Sequence, residues 1–436
     1  MHTLHSSVPE ANIEKPSGST GRLDYMDAAR AFALLLGIVF HASLSFLPTF
    51  IGWAVQDVST SPIVSHFVTV SHAFRLETFF LIAGFFGQRT LRRDGTRSFA
   101  LNRAVRLLIP FTAGWFLLHP LIIATWEMGA ASLSGSYSIR AGLLKGLHTF
   151  RYLPKGIFTQ THLWFLYYLA MISALFIGMR ALLNVSGKFS LIATSSADRF
   201  TAWAVRSPLG LFACALPTAG VLWYMSMWIV DTPDQTLVPN LLVIAIYSIF
   251  FSFGWLLARQ AKLLSELASF TTTRVAVAVV SSAITLYLTR FQMDPGNPAA
   301  KPTHVAFSLS YAMMMWFLIS SVLAGCRLAF STPRPWVRYI ADASYWLYII
   351  HLPIVIWLQV AIADQPLHWT IKLPVIVLVT LGIGLVSYDL FVRSTWVGVI
   401  LNGRRRPRAF MFKQSLTPFN LPWRLEARRR LRSRGA

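Results

Sequence analysis

The sequence is poor in charged residues and in cysteine. Only 13% of the 436 residues are charged and 55% are hydrophobic, whereas soluble globular domains are about one quarter charged. The two cysteines, Cys214 and Cys326, lie inside apolar segments, without the pairing or spacing of disulfides or zinc sites. No polar region between the apolar stretches is long enough to bury a core. These absences indicate that lipid is the solvent, and they give no support to redox or metal chemistry.

Apolar stretches of about 20 residues recur along the chain, each long enough to cross about 30 Å of hydrocarbon. They predict an all-α, polytopic membrane protein with about ten spans. The predicted spans are 26–47, 66–88, 105–126, 162–184, 208–230, 238–258, 273–290, 303–327, 338–361 and 370–392. Residues 23–393 then form one membrane domain. Residues 1–22, which lack the apolar run of a signal peptide, are predicted to be a disordered cytoplasmic segment, and residues 394–436 a basic cytoplasmic tail.

Acidic residues are scarce, with 17 Asp and Glu against 39 Lys and Arg and a formal net charge of +22. The basic residues lie between spans and in the tail, so membrane topology explains them better than nucleic-acid binding. Their distribution predicts that both termini are cytoplasmic in a bacterial inner membrane. The loop 127–161 breaks the pattern, and a functional basic surface would explain it. Its basic residues are Arg140, Lys145, Arg151 and Lys155.

The first predicted span contains Asp27, Arg30 and His41. Arginine and histidine are costly in lipid unless they face a cavity or a partner. Eleven residues make close to three helical turns, so Arg30 and His41 share one face, about 16 Å apart along the axis. A simpler interpretation makes Arg30 an interfacial anchor paired with Asp27, and His41 a polar contact between helices. That interpretation stays open for Arg30, while the depth of His41 favours function.

The second predicted span places His72 and Arg75 one turn apart at the depth of His41. Arginine binds carboxylates through two parallel hydrogen bonds, so Arg75 is suited to Glu77 or to a carboxylate of a ligand. Two further arginines, Arg103 and Arg106, lie one turn apart at the cytoplasmic start of the third span. They are suited to phosphate groups, although positive-inside bias alone also predicts them there.

Further candidates lie in the fourth and ninth predicted spans. His162 and Trp164 begin the fourth, where an aromatic belt at the membrane interface is the simpler explanation for Trp164. In the ninth, Tyr345, Tyr348 and His351 recur at three-residue steps. Such steps predict that they line one face of a cavity reached from outside.

Together these residues resemble the motifs of acyltransferase family 3, integral-membrane enzymes that modify carbohydrates. The resemblance extends from about Leu23 to Arg393. It consists of an arginine and a histidine with ten residues between them, a paired arginine before a proline, a Phe-Phe and Gly segment, and a late Ser-Tyr-rich helix. The matching positions are Arg30 with His41, Arg103 with Arg106, Phe79–Phe86, and the stretch ending in His351 and Pro353.

Within this family, the segments around 27–44, 72–86 and 162–166 are most similar to the succinyltransferases of osmoregulated periplasmic glucans. The resemblance implies an acyl-CoA co-substrate, with succinyl-CoA favoured, and no metal or tightly bound cofactor. It implies that Arg30, Arg103 and Arg106 bind acyl-CoA and that His41 is catalytic, as general base or as a covalently acylated residue, with Asp27 a second catalytic candidate. The candidates for binding the acyl group or the glucan are His72, Arg75, Glu77, His162, Trp164, Tyr345, Tyr348 and His351.

Other functions remain possible at this point. An O-acetyltransferase of another cell-surface polysaccharide shares the framework, and the oligomeric state is open. A transporter of a sugar or acyl compound is the alternative from another class, because intramembrane Arg, His and Glu also mark substrate pathways. The ten spans show no clear inverted repeat, which counts against it. A structural scaffold would not need His41 or Arg75 in lipid.

Overall fold

The computed structural model describes residues 23–132, 138–152, 161–185, 187–233, 236–292 and 300–409. Every regular element in these ranges is helical, which confirms the predicted all-α class. The helices are α1 (Asp24–Ser43), α2 (Pro62–Arg103), α3 (Ile109–Ser132), α4 (Ile139–His148), α5 (Trp164–Val185), α6 (Gly187–Arg206), α7 (Gly210–Leu222), α8 (Leu241–Arg259), α9 (Ala261–Leu267), α10 (Thr272–Leu288), α11 (Ala300–Ala329), α12 (Pro335–Ile362), α13 (Trp369–Ser387) and α14 (Trp396–Asn402).

Eight helical segments in the described ranges are long and apolar enough to cross a membrane, and α6 with α7 forms a ninth candidate bent by 112°. The longest segment, Pro62–Ser132, has 71 residues and would reach about 106 Å if it were straight. The segment folds back near Gly95, whose φ is 79°. The fold-back is evident from the hydrogen bond of 3.0 Å that Arg103 Nη2 donates to the carbonyl oxygen of Ala83, 20 positions earlier. Counting this segment as two spans, as the sequence predicts, gives nine candidate spans in the described ranges, or ten if the bent pair is counted as one more, and the polytopic fold is confirmed.

The structure differs from the prediction at the fifth span and in the segment before it. The fifth predicted span, 208–230, contains only the short helix α7, and the helix α6 before it was not predicted. Lys188, Asp198 and Arg199 lower the hydropathy of α6, so a search for spans passes over it. Its outward apolar side chains, which include Ile192 and Trp203, are typical of a helix at a membrane surface.

The predicted loop 127–161 is largely helical where the structure describes it. Helix α3 continues to Ser132, and α4 follows. Lys145 Nζ lies 2.5 Å from a carboxylate oxygen of Glu127. Glu127 therefore neutralises Lys145, one of the four residues of the basic surface that the sequence suggested for this loop. Lys155 and the side chain of Tyr152 lie outside the described residues.

Close helix packing sets the position of α2, which carries His72 and Arg75. A Cβ added at Gly84 would lie 2.0 Å from the carbonyl oxygen of Phe251, and one at Gly254 would lie 1.9 Å from that of Leu81. Glycine therefore lets the backbones of α2 and α8 touch, as small residues do between membrane helices.

The start of the predicted tail is folded onto the membrane domain. Arg406 Nη1 lies 2.9 Å from Asp342 Oδ2, and the Ala409 amide donates to Asp389 Oδ1 at 2.8 Å. The chain beyond 409, which holds the second arginine cluster, and the predicted cytoplasmic segment 1–22 lie outside the described residues.

Candidate active site

Two cavities meet end to end within the helical bundle. The inner cavity has a volume of about 630 Å³ and the outer cavity one of about 880 Å³. They share a short stretch of wall, which we call the neck. The neck consists of Leu34, Leu76, Phe79, Phe165 and Tyr348. The two cavities thus adjoin at a mainly apolar stretch of wall, with Asp27 and Arg30 of α1 lining the inner cavity and His41 lining the outer one.

The inner cavity is rich in arginine. Arg30 donates from Nη2 to the carbonyl oxygen of Ala341 at 2.8 Å and lies 3.4 Å from Asp27 Oδ1. The sequence identified three of the lining arginines, and the structure adds three more. The six are Arg30, Arg89, Arg93, Arg103, Arg106 and Arg404. Asp27 and Asp342 are the acidic residues in the lining of the inner cavity. Because arginine outnumbers them three to one, the wall of this cavity is suited to phosphate groups.

Backbone carbonyls hold the paired arginines in place. Residues 104–108 form a π-helical turn between the second and third spans, a feature often found at functional sites. Arg106 Nε donates to the Leu401 carbonyl oxygen at 3.1 Å, and the hydroxyl of Tyr345 donates to the Arg106 carbonyl oxygen. The Arg103 guanidinium lies 5.2 Å from the centre of the Phe99 ring. Both arginines therefore sit on a rigid rim.

A histidine pair lies in the outer cavity. His41 Nδ1 and His351 Nε2 are 2.9 Å apart, and His351 Nδ1 lies 2.8 Å from the carbonyl oxygen of Tyr348. A carbonyl oxygen only accepts hydrogen bonds, so Nδ1 of His351 carries the proton, and in the neutral ring Nε2 accepts. His41 must then donate from Nδ1, which leaves a lone pair on its Nε2. The geometry selects the tautomer that a general base requires.

Other predicted residues surround this pair. His162 Nε2 donates to the Ile349 carbonyl oxygen at 2.8 Å, and the Tyr348 hydroxyl donates to the His162 carbonyl oxygen at 2.6 Å. The His162 ring stands perpendicular to that of His351, with 5.3 Å between centroids. The preceding residue, Thr161, has a φ of 52°, a strained value for a β-branched residue and one that clusters at functional sites.

Arg75 lines the outer cavity, and no carboxylate of the described residues is paired with it. Its guanidinium lies 4.1 Å from the centre of the Phe40 ring, and its buried Nη1 has no hydrogen-bond partner among the described residues. The same part of the chain offers none to the carboxylate oxygens of Glu77, which is fully buried and lines neither cavity. Of the two carboxylates considered for Arg75, Glu77 therefore makes no hydrogen bond to it, and a carboxylate of a ligand is the alternative that is left. His72 Nδ1 lies 3.2 Å from the Tyr311 hydroxyl.

Two candidates lie at different places from those the sequence suggested. Asp27 belongs to the inner cavity, 14 residues from His41 along α1, which is about 21 Å, so the two do not form one catalytic group. Tyr345 lines the inner cavity rather than the outer. Six residues of helix separate it from His351, and that rise of about 9 Å carries it past the neck.

Sequence reasoning missed Gln359 and Trp53. Gln359 Nε2 donates to the His41 and Ala42 carbonyl oxygens at 3.0 Å each, and its Oε1 accepts from Trp53 Nε1 at 2.9 Å. A glutamine inside an apolar span is a signal for function that was available in the sequence. Despite the three neighbouring histidines, the described residues contain no group of His, Cys, Asp or Glu that could hold a metal ion.

The arrangement suits a reaction between a phosphate-bearing donor in one cavity and an acceptor in the other. A family model described as an acyltransferase domain matches residues 23–389. The chain belongs to acyltransferase family 3. This membership confirms the resemblance carried by the arginine and histidine motifs, and it makes the protein a membrane acyltransferase.

This acyltransferase is also similar to curated relatives named glucans biosynthesis protein C. Those of Salmonella paratyphi B and Salmonella schwarzengrund are each 24% identical over 390 residues, a match that covers 87% of this chain and 94% of the relative. That of Salmonella gallinarum is 24% identical over 407 residues. No solved structure gives a significant match to the acyltransferase.

Proposed function

We propose that the protein transfers an acyl group, succinyl in the first place, from cytoplasmic acyl-CoA to a hydroxyl of a periplasmic glucan. The observation that carries the proposal is the lone pair of His41 in the outer cavity, joined through the apolar neck to the arginine-rich inner cavity. The name of the relatives supports a glucan as the acceptor. The excess of arginine in the second half of α2, around the fold-back near Gly95, supports a bacterial inner-membrane location with the inner cavity and both termini on the cytoplasmic side.

The inner cavity binds the nucleotide end of the donor in this proposal. Arg30, Arg103 and Arg106 form charge-assisted hydrogen bonds with its phosphates. Asp27 acts by orienting Arg30, to which it is paired at 3.4 Å. The pantetheine arm then passes the neck and brings the thioester to His41, about 16 Å further along α1.

The chemistry follows from the tautomer of His41. Nε2 takes the proton of the glucan hydroxyl as its oxygen attacks the thioester carbonyl carbon. The tetrahedral intermediate collapses, the carbon–sulfur bond breaks, and the CoA sulfur leaves with the proton held by His41. The products are the O-acyl glucan and free CoA. His351 is a positioning residue that holds the Nδ1 proton of His41.

Purified protein in detergent tests this function, since no sealed compartment is present for transport. With succinyl-CoA and a glucan, the wild-type protein is expected to release free CoA, measured with a thiol reagent. His41→Ala is expected to abolish the release. His66→Ala, which changes an exposed histidine that lines neither cavity, is the control. A transporter would release no CoA with either substrate present.

Arg75 is the basis for preferring a succinyl group. Arg75 lines the outer cavity, and its buried Nη1 has no hydrogen-bond partner among the described residues; a terminal carboxylate would pair with this guanidinium, whereas a neutral acetyl group would not. His72 lies one turn before Arg75 and lines the same cavity.

Arg75→Ala is therefore expected to lower kcat/KM for succinyl-CoA by about 100-fold, the loss of one charge-assisted pair, with acetyl-CoA little affected. Arg75→Lys is expected to recover part of the loss, because it keeps the charge without the two-point geometry. Equal losses for both thioesters would favour the alternative, an O-acetyltransferase of another polysaccharide.

A further inference from the structure

Two tryptophans from different elements meet in the outer cavity. Trp53 comes from the connection between α1 and α2, which we call the outer loop (residues 47–61), and Trp126 comes from α3. Their ring centroids are 5.2 Å apart at an angle of 69°. Both rings are partly exposed and line the cavity that contains His41. We call this pair the aromatic corner.

The aromatic corner has a fixed position relative to His41. The Trp53 ring lies nearly parallel to that of His41, at 6° and 6.0 Å between centroids. Trp53 Nε1 donates to Gln359 at 2.9 Å, and Gln359 in turn donates to the His41 carbonyl oxygen at 3.0 Å. A glutamine on α12 therefore ties the indole ring to the backbone of the histidine. A ligand placed against Trp53 is placed against His41 as well.

Several contacts outside the aromatic corner hold the outer loop rigid. Lys372 Nζ lies 2.8 Å from Asp57 Oδ1 with both side chains buried, and it also donates to the Ala363 carbonyl oxygen at 2.9 Å. The Asp57 amide donates to the Ser45 carbonyl oxygen at 2.8 Å. Buried ion pairs are expensive to form unless further hydrogen bonds satisfy them, as the Ala363 carbonyl does here. The ion pair fixes the outer loop, whose residues 51–53 line the outer cavity, and a preformed wall lowers the cost of ligand binding.

Polar groups line the same cavity. Ser226 Oγ donates to Asp231 Oδ1 at 3.0 Å, and Thr232 lines the cavity beside them. An aromatic wall with a few polar groups is the usual composition of a small-molecule site. Among ligands, a pyranose ring matches it. The axial C–H bonds of the sugar form an apolar face that packs on the electron-rich face of an indole, while its hydroxyls donate to carboxylates.

We infer that the aromatic corner is a sugar subsite for the acceptor. One glucose residue packs against Trp126 and Trp53 and so presents a hydroxyl to Nε2 of His41, while Asp231, which lines the same cavity, accepts hydrogen bonds from hydroxyls of the bound oligosaccharide. This inference rests on the proposed function for the identity of the sugar and adds the residues that recognise it.

Binding of a short unsubstituted glucose oligosaccharide to the purified protein, measured by calorimetry without any acyl donor, tests the subsite. Trp126→Ala is expected to weaken binding by at least about tenfold, or 1.4 kcal/mol. Trp126→Phe is expected to keep most of the affinity because it keeps an aromatic face. Trp357→Ala, which changes a partly exposed tryptophan that lines neither cavity, is the matched control. In turnover assays Trp126→Ala should raise KM for the oligosaccharide and leave KM for acyl-CoA unchanged.

The two proposals fail in different ways. Wild-type affinity in Trp126→Ala, or a wild-type protein that binds no oligosaccharide, would overturn the subsite. If Trp126→Ala loses affinity but wild-type protein releases no CoA, the subsite stands and the acyltransfer to glucan is wrong. If CoA release is intact while Trp126→Ala binds normally, acyltransfer stands and the aromatic corner has no part in it.

Discussion

The hydrogen bond between His41 and His351 determines which nitrogen of His41 is free to act. His351 is itself held by backbone carbonyl oxygens of its own helix, at 2.8 Å for Tyr348 and 3.1 Å for Leu347. A backbone partner of this kind fixes a histidine tautomer. The proton arrangement at His41 therefore originates in the helical geometry of α12.

Replacing His351 separates positioning from binding. His351→Ala is expected to lower kcat by about 100-fold, toward the low end of what general base catalysis contributes, and to leave KM for acyl-CoA unchanged. His351→Gln should restore much of the rate, because its Oε1 can accept the Nδ1 proton of His41. Steady-state kinetics with both substrates provide the measurement. A glutamine variant as slow as the alanine variant would contradict the positioning role.

Some of these residues were predictable and others were not. His41, His351 and Arg75 stand out because ionisable side chains within apolar spans need a reason to be there. Trp53 resembles any tryptophan near a membrane interface. Its place beside His41 depends on a hydrogen bond to Gln359 across 306 positions in sequence, and no local pattern contains that information.

The outer loop depends on one ion pair for its place in the fold. Asp57 and Lys372 have side-chain exposures of only 2% and 0%. Burial raises the pKa of the Asp57 carboxyl, and the hydrogen bonds from Lys372 and the Ser59 amide oppose that rise. The position of the outer loop therefore depends on the charged Asp57 carboxylate, and this charge is stabilised by Lys372.

Lys372→Met is expected to destabilise the protein by about 3–5 kcal/mol, because it leaves a buried carboxylate without its partner. The double variant with Asp57→Asn should recover most of that loss. Lys145→Met is the control, since its pair with Glu127 is exposed and such pairs contribute about 0–1 kcal/mol. Unfolding in detergent, followed by circular dichroism, gives the comparison. Additive losses in the double variant would show that the pair is not coupled.

Elements were predictable to the extent that hydropathy determines them. Long apolar helices such as α8 and α13 were located within a few residues, because lipid requires every backbone group to be bonded internally. Helix α6 was missed because its four charged residues, Lys188, Asp198, Arg199 and Arg206, lower its hydropathy below that of a span. The π-helical turn at 104–108 has no composition that distinguishes it from an α-helix.

The whole molecule has a predicted orientation that surface labelling can test. Cys214 and Cys326 are buried, so thiol reagents are expected to label the native chain only weakly. In intact spheroplasts, Thr60→Cys is expected to react with a membrane-impermeant maleimide, because residue 60 belongs to the exposed outer loop. Arg97→Cys, in the connection between the second and third spans, should react only after the membrane is opened. The reverse pattern would invert the assignment of the two cavities.

The apolar neck has a consequence for the cell that contains this protein. Arginine side chains line the inner cavity and histidine side chains line the outer one. A continuous column of water between the two cavities would let protons pass. Hydrated ions are excluded from a narrow hydrophobic constriction, where water itself is unstable. In the proposed reaction, Leu34, Leu76, Phe79 and Phe165 admit the thioester arm of the donor and keep hydrated ions out, so that acyl transfer across an energised membrane does not drain its electrochemical gradient.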